Sequence, residues 1–417
     1  MGGKQINMGK REKVILVTGA TGFLGSAITQ RLLVSGCKLR LLIRKRENNT
    51  SPISFGREGL IKELILGNEL DEYSQGQSRV IGDQLNNDKL LHELFFSNVE
   101  VYEGDITSGS LGLGKQEYKR LCNEVDEVFH CAAVTHFEMQ GADEHVVVNI
   151  KGTENVLQFA NFGKQKRLHY ISTAYVAGKQ NGIIYENEMR SEPLFNNEYE
   201  RSKFVAERLV IKYAKSNDIP YTIYRPGIIV GDSRTGATCK FDNLYLFVKV
   251  LFNIENSFIK NKSEDLDDIT IRVPGDPDAL INLVPIDYVA DAIVAILKKS
   301  ESIGGIYHIT NPNPPRLCEL RDLVMTLLEI KGIDVKIDRE LEKRSLSTVE
   351  KLFLRQTRSY YSYLFSRLRF DDSSTQAILR GTGVICPTMT KELVAVLIDF
   401  AVTHNWGEGK RTVLQKV

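Results

Sequence analysis

Tyr199 and Lys203 stand four residues apart in Tyr199-Glu200-Arg201-Ser202-Lys203. On a helix that spacing puts both side chains on one face. A free phenol has a pKa of about 10 and is a poor acid at neutral pH. A neighbouring ammonium stabilises the phenolate and lowers that value. The pair could therefore hand a proton to a carbonyl that receives hydride. The spacing alone also describes an ordinary surface pair, so context decides. Upstream lies Tyr170-Ile171-Ser172-Thr173-Ala174-Tyr175-Val176-Ala177-Gly178, at the end of an expected strand. A hydroxyl there could donate a second hydrogen bond to a developing oxyanion.

A second pattern asks for a phosphate. Thr18-Gly19-Ala20-Thr21-Gly22-Phe23-Leu24-Gly25 follows an apolar strand and opens a helical pattern. Glycines in that setting allow a tight turn and let backbone approach a pyrophosphate at the helix N-terminus. The next strand ends Leu42-Ile43-Arg44-Lys45-Arg46, with no acid until Glu47. An acid at this point would bind a ribose 2′-hydroxyl, whereas an arginine accommodates a 2′-phosphate. Arg44, helped by Arg46, therefore favours NADPH over NADH; the alternative is a pair of solvated cations. Asp105, after the third strand, reads equally as an adenine contact or as a loop acid.

The elements that must position these groups alternate between short β-branched runs and longer helical patterns. Strands are expected at Lys13–Thr18, Lys38–Ile43, Val99–Tyr102, Val125–Cys131, Leu168–Ser172 and Tyr221–Arg225. Helices are expected at Phe23–Ser35, Asp143–Phe162 and Tyr199–Lys215. That is a doubly wound parallel α/β sheet of Rossmann type. Residues 44–98 form a polar insertion with a helix near Glu58–Leu66, and Ser263–Asp268 an acidic surface loop. Leu280–Leu297 reads as strand then helix, Gly305–Thr310 as one more strand, and 316–417 as mainly helical. The expected division is an NADP-binding Rossmann domain over 1–236, with contributions from about 281–310. A smaller, mainly helical substrate domain follows over 237–417.

Composition sets bounds on the partners. The 417 residues carry 54 basic and 53 acidic side chains, a net charge of +1, which argues against a dedicated nucleic-acid binder. Six cysteines without a C-x-x-C pair argue against a disulfide framework and a zinc site. No metal is expected. The longest apolar stretches are broken by Asp287, Asp291 and Asp399, so no transmembrane segment is expected, and the expected location is the cytoplasm. Lys343–Phe370 sets seven cations against the single acid Glu350, interleaved with Tyr360, Tyr361, Tyr363 and Phe365. It reads as a lid with its aromatics inward, as a docking face for an acidic carrier protein, or as a membrane-surface contact. His130 reads as a core histidine, and His136 as one that could face a pocket.

The glycine fingerprint, the hydroxyl-bearing strand end and Y-x-x-x-K occur in an order that resembles the extended short-chain dehydrogenase/reductase family over roughly residues 13–310. The resemblance includes His130-Cys131-Ala132-Ala133, Asn149-Ile150-Lys151-Gly152-Thr153 and Val284-Pro285-Ile286-Asp287-Tyr288-Val289-Ala290. It implies Thr173, Tyr199 and Lys203 as catalytic residues, with Ser172 as second choice for the hydroxyl. It implies a cofactor site at Gly19, Thr21, Gly22, Phe23, Leu24, Gly25, Arg44, Asp105, Ile106, Ala132, Ala133, Tyr199, Lys203, Pro226, Gly227 and Ile229.

Arg225-Pro226-Gly227-Ile228-Ile229-Val230-Gly231-Asp232-Ser233-Arg234-Thr235-Gly236 is similar to the thioester reductase group, which includes fatty acyl-CoA reductases. The expected activity is NADPH-dependent reduction of an acyl thioester to the aldehyde, with the alcohol as a further product. The expected partner is an acyl group on coenzyme A or on a separate acyl or peptidyl carrier protein. One rival is an extended reductase or epimerase acting on a ketone or hydroxyl of a lipid or sugar nucleotide. The other is a non-catalytic NADP-binding sensor.

Overall fold

The computed structural model describes residues 12–44, 81–137, 143–188, 193–260, 269–329, 333–341 and 345–408. Arg46, the expected helix at Glu58–Leu66 and the acidic loop Ser263–Asp268 lie outside them.

Thirteen strands are described. They are β1 (Val14–Thr18), β2 (Lys38–Ile43), β3 (Val99–Glu103), β4 (Glu127–His130), β5 (Arg167–Ile171), β6 (Gly182–Ile184), β7 (Tyr221–Pro226), β8 (Ile228–Val230), β9 (Ile269–Pro274), β10 (Leu283–Pro285), β11 (Ile306–Ile309), β12 (Ile333–Asp338) and β13 (Leu368–Phe370). Seven of them form one sheet in the order β11-β7-β5-β4-β1-β2-β3, every pair parallel. β1 is buried along its whole length, as a continuous apolar run covered on both faces must be.

Helices cover both faces. α1 (Phe23–Val34), α2 (Ile81–Asn98) and, much later, α7 (Ile286–Leu297) pack on one side. α3 (Lys115–Glu124), α4 (Gly152–Asn161) and α5 (Glu198–Ser216) pack on the other. α1 ends where Gly36 takes a φ of 78°, a left-handed stop that suits glycine. The chain is thus the doubly wound α/β sheet that its alternation implies.

Two elements differ from the sequence reading. Asp143–Phe162 is not one regular helix: Val146–Lys151 is a π-helical turn that runs into α4. The side chain of Asn149 leaves this widened turn to hold the main chain of Val134, accepting from its N–H at 2.8 Å and donating to its C=O at 3.0 Å. Residues 316–417 also contain two strands among their helices. Ile333-Asp334-Val335-Lys336-Ile337-Asp338 alternates buried and open positions at its start, the period of a strand and not of a helix. It pairs in parallel with β9, while β13 pairs with β6 from the first half of the chain.

A third apolar cluster gathers β9, β12, α6 (Leu244–Lys260), α8 (Leu317–Leu328), α9 (Thr348–Thr357) and α11 (Lys391–Thr403). The helix between the last two, α10 (Ser373–Leu379), adds Leu379 to the core around α1 and α7. Among the described residues no helix is long and apolar enough to cross a membrane.

Candidate active site

The turn between β1 and α1 is built for close approach. Gly19 has a φ of 74°, and a Cβ there would lie 2.5 Å from the backbone N of Ala132. A Cβ on Gly25 would lie 1.9 Å from the Gly19 carbonyl oxygen. Gly22 caps α1 without any side-chain hydrogen bond, which leaves the first N–H groups of the helix to a ligand. This cradle fits a dinucleotide pyrophosphate. Gly19, Gly22, Phe23, Leu24 and Gly25 line a cavity of about 620 Å³, and Arg44, exposed just past β2, joins them.

The same cavity takes in Ser172, Thr173, Tyr199 and Lys203. Asn197 caps α5, its side chain accepting from the Glu200 N–H at 3.0 Å, so Tyr199 stands in the first turn and Lys203 one turn later. Ser202 Oγ donates to the Tyr199 carbonyl at 2.9 Å and accepts from Asn149 Nδ2 at 2.9 Å. Asn149 thereby ties α5 to the loop after β4. Thr173 Oγ1 accepts from the Tyr175 N–H at 3.3 Å and donates to the Pro226 carbonyl at 3.5 Å. Its hydroxyl lines the cavity together with Tyr199. Ser172 is buried beside it, and its Oγ has no hydrogen-bond partner.

Burial pushes the Tyr199 phenol up; the Thr173 hydroxyl opposes this, and Glu200, Cys131 and Asp242 add to the rise. Lys203 is pushed down to about 8 by burial, with Cys131 and Glu207 opposing. Its ammonium donates to the Ile171 carbonyl at 2.5 Å and lies 4.3 Å from the Tyr170 ring centre. The expected depression of the Tyr199 pKa by Lys203 therefore does not appear. Desolvation dominates both groups, and Lys203 is engaged with backbone.

Ala133, Pro226, Gly227 and Ile229 also line the cavity; Thr21, Asp105, Ile106 and Ala132 do not. Asp105 Oδ1 accepts from both the N–H and the hydroxyl of Thr107 at 2.8 Å, and Asn155 donates to the Ile106 carbonyl at 2.7 Å. Asp105 thus shapes its own turn. His130 is buried between Thr18 Oγ1, 2.7 Å from Nδ1, and Thr153 Oγ1, 3.0 Å from Nε2. Burial lowers its pKa to about 3, and Lys203 adds to that, as befits a core histidine. His136 reaches the cavity wall. Among the described residues no cluster of His, Cys, Asp and Glu could hold a metal ion. The Gly231–Gly236 stretch acts as a brace: Asp287 accepts from the Ser233 N–H at 2.9 Å and from its hydroxyl at 2.6 Å.

Beyond Tyr199 the wall is mostly apolar, with Arg321 of α8 among its members. Phe247 and Leu251 of α6, Val324 and Met325 of α8, Phe353 of α9 and Tyr363 close it. The sequence reading named none of these as substrate contacts. Tyr360 and Tyr363 turn inward while Lys351, Arg355, Arg358, Arg367 and Arg369 stay exposed. The basic aromatic segment is therefore a cavity wall with cations on its outer side. Arg367 Nε binds Asp276 Oδ2 at 2.7 Å.

The male sterility protein family of NAD-binding proteins matches residues 17–293. A linear gramicidin synthase from Brevibacillus parabrevis is 25% identical over 92% of the chain and 7% of its own length. The probable fatty acyl-CoA reductase 5 of Arabidopsis thaliana is 25% identical over 86% of the chain and 78% of its own length. A solved structure, the terminal R domain from the myxalamid PKS-NRPS biosynthetic pathway, superposes with a TM-score of 0.73. It is 26% identical and covers 95% of this chain and 92% of its own. The chain spans between 7% and 36% of the length of five curated relatives that it matches.

Proposed function

The chain belongs to the male sterility protein family of NAD-binding proteins, and we propose on that premise that it reduces an acyl thioester to the aldehyde. The carrying observation is one continuous cavity. It joins the glycine turn, the Thr173–Tyr199–Lys203 group and a long apolar wall. A carbonyl at Tyr199 would have a hydride donor on one side and room for an acyl chain on the other. The reduced nicotinamide supplies the hydride when bound. Tyr199 and Thr173 hydrogen-bond the carbonyl oxygen as negative charge builds there. Tyr199 holds the proton that this oxygen needs if reduction goes on to the alcohol. Lys203, buried and cationic below a pH of about 8, would hold the nicotinamide ribose.

Arg44 at the cavity wall supports NADPH over NADH, since a guanidinium can grip a 2′-phosphate in two places. The substrate's carrier is coenzyme A or a carrier protein. We assign the Rossmann unit to 1–236 with about 281–310, and the substrate unit to the remainder of 237–417. The test is NADPH oxidation against acyl-coenzyme A and acyl-carrier thioesters, with the aldehyde trapped. Thioester-dependent oxidation with aldehyde release is the expected result. Turnover of ketones or alcohols alone would move the protein to the carbonyl-reductase reading. An unchanged NADPH/NADH ratio in Arg44→Ala would remove Arg44 from cofactor choice.

A further inference from the structure

The cavity holds a second group of titratable side chains that the scheme above leaves unused. The chain leaves β4 and runs through Thr135, His136 and Phe137 along the cavity wall, where Glu144 and Lys240 also stand. His136 Nε2 lies 3.1 Å from Glu144 Oε2, and its ring centre is 5.3 Å from that of His145. Lys240 Nζ donates to Thr135 Oγ1 at 2.6 Å. The Phe137 ring stands 6.1 Å from the Tyr199 ring. His136 is therefore one residue along the chain from a side chain packed on the reacting phenol. Titratable groups face it from two elements: Glu144 and His145 ahead of the π-helical turn, and Lys240, through Thr135, from the segment before α6.

Thioester reduction has a requirement that ketone reduction lacks. Hydride adds to the carbonyl carbon, and the π pair moves onto oxygen. When the C–S bond breaks, the oxygen pair re-forms C=O and the bonding pair leaves on sulfur. The departing thiolate then needs one proton. An alkyl thiol is a weak acid, with a pKa near that of cysteine at about 8.5, so proton delivery during cleavage speeds its departure. Tyr199 is committed to the carbonyl oxygen, so a second group must serve the sulfur.

We propose that His136, paired in charge with Glu144, protonates the departing sulfur. The inference rests on the thioester reading, and its test keeps the two apart. In single turnovers the enzyme receives the same acyl group on coenzyme A, an alkyl thiol, and on an aryl thiol, a stronger acid. Thiol release is followed beside NADPH oxidation. In the wild type, release keeps pace with oxidation for both substrates. In His136→Asn, release from the coenzyme A ester lags oxidation by about 10²-fold, while the aryl ester shows no lag. Glu144→Gln shows the same selective lag, smaller, and carries the test if His136→Asn no longer binds NADPH. No lag, or an equal slowing of both esters, overturns the assignment. A wild type inert to both esters and to the same acyl group on a carrier protein overturns the thioester reading, and this inference with it.

Discussion

The two ends of the cavity are built on opposite principles. At the glycine turn the contacts belong to backbone, and what matters is the absence of side chains. Gly19 and Gly25 leave room that a single Cβ would fill. At the far end the contacts belong to side chains, and what matters is apolar bulk. Phe247, Leu251, Val324 and Phe353 come from three helices that share no motif. An end defined by backbone demands particular residues at particular spacings. An end defined by volume accepts many residues, provided the total is kept.

The sharpest way to break this contrast lies where the ends meet. Tyr199→Phe removes the phenol and keeps the ring that packs against Phe137. Turnover should fall by about 10²–10⁴-fold, with NADPH affinity close to that of the wild type. Near-normal turnover would take Tyr199 out of the chemistry. Gly25→Ala tests the backbone end. The added Cβ collides with the Gly19 carbonyl oxygen, so the turn must open. Losing two hydrogen bonds to a charged pyrophosphate, at about 1.5–3 kcal/mol each, should weaken cofactor binding by at least about 10²-fold. Fluorescence titration with NADPH measures this; an unchanged dissociation constant would mean that the pyrophosphate lies elsewhere.

Acid should separate the ends a second time. His130 on β4 and His308 on β11 are buried in the seven-stranded sheet, each lowered to about 3 by burial. Unfolded, each titrates near 6.5. Between those values the unfolded chain binds more protons, so stability is complete above about pH 6.5 and falls as pH is lowered. The slope approaches about 1.4 kcal/mol per pH unit for each histidine. No histidine stands on β9 or β12, and His404, stacked on Phe400 beside their apolar cluster, is only half-buried. Hydrogen exchange at mildly acidic pH should loosen the seven-stranded sheet more than β9 and β12. Equal loosening would show that the two regions unfold as one unit.

The volume end is tested by size. Val324→Phe narrows the wall that would receive the end of an acyl chain. Each methylene kept out of an apolar site forfeits about 0.8 kcal/mol, roughly fourfold in kcat/KM. The variant should shift its preference toward shorter acyl chains and leave NADPH binding alone. A preference that does not move would place the acyl group along a different wall.

The same contrast governs what the sequence discloses. The strands, the glycine turn and the Tyr199–Lys203 spacing are legible because backbone geometry dictates them. Leu320 and Val324 look like any other core residues, and nothing local says which apolar side chains will border a void. Phe137 and Tyr363 meet with ring centres 5.5 Å apart although the whole of the Tyr–Lys helix lies between them in sequence. β12 is legible in its own alternation, yet the helical patterns on either side of it mask so short a strand. The expected lowering of the Tyr199 pKa fails for a tertiary reason: burial acts on the phenol and the ammonium together, and no spacing reports burial. Asp105 turns inward onto Thr107, the commoner fate of an aspartate in a turn.

One contact spans the divide, and breaking it should give the smallest effect. Tyr363, on the turn Arg358–Phe365, donates its hydroxyl to Glu200 Oε1 at 2.6 Å and accepts from Asn197 Nδ2 at 2.8 Å. Glu200 is fully buried, and Asn196 donates to it from its N–H at 2.8 Å and from its side chain at 3.0 Å. The apolar wall is therefore clasped to the first turn of the helix that carries Tyr199. Tyr363→Phe keeps the ring and its stacking on Phe137 but leaves one carboxylate oxygen short of a donor. The loss should be about 1–3 kcal/mol of stability, read from the denaturation midpoint. If the clasp only fastens the wall, kcat stays level and KM for long acyl chains rises. If it also sets the angle of Tyr199, kcat falls for every chain length, and the two ends of the cavity are then mechanically one.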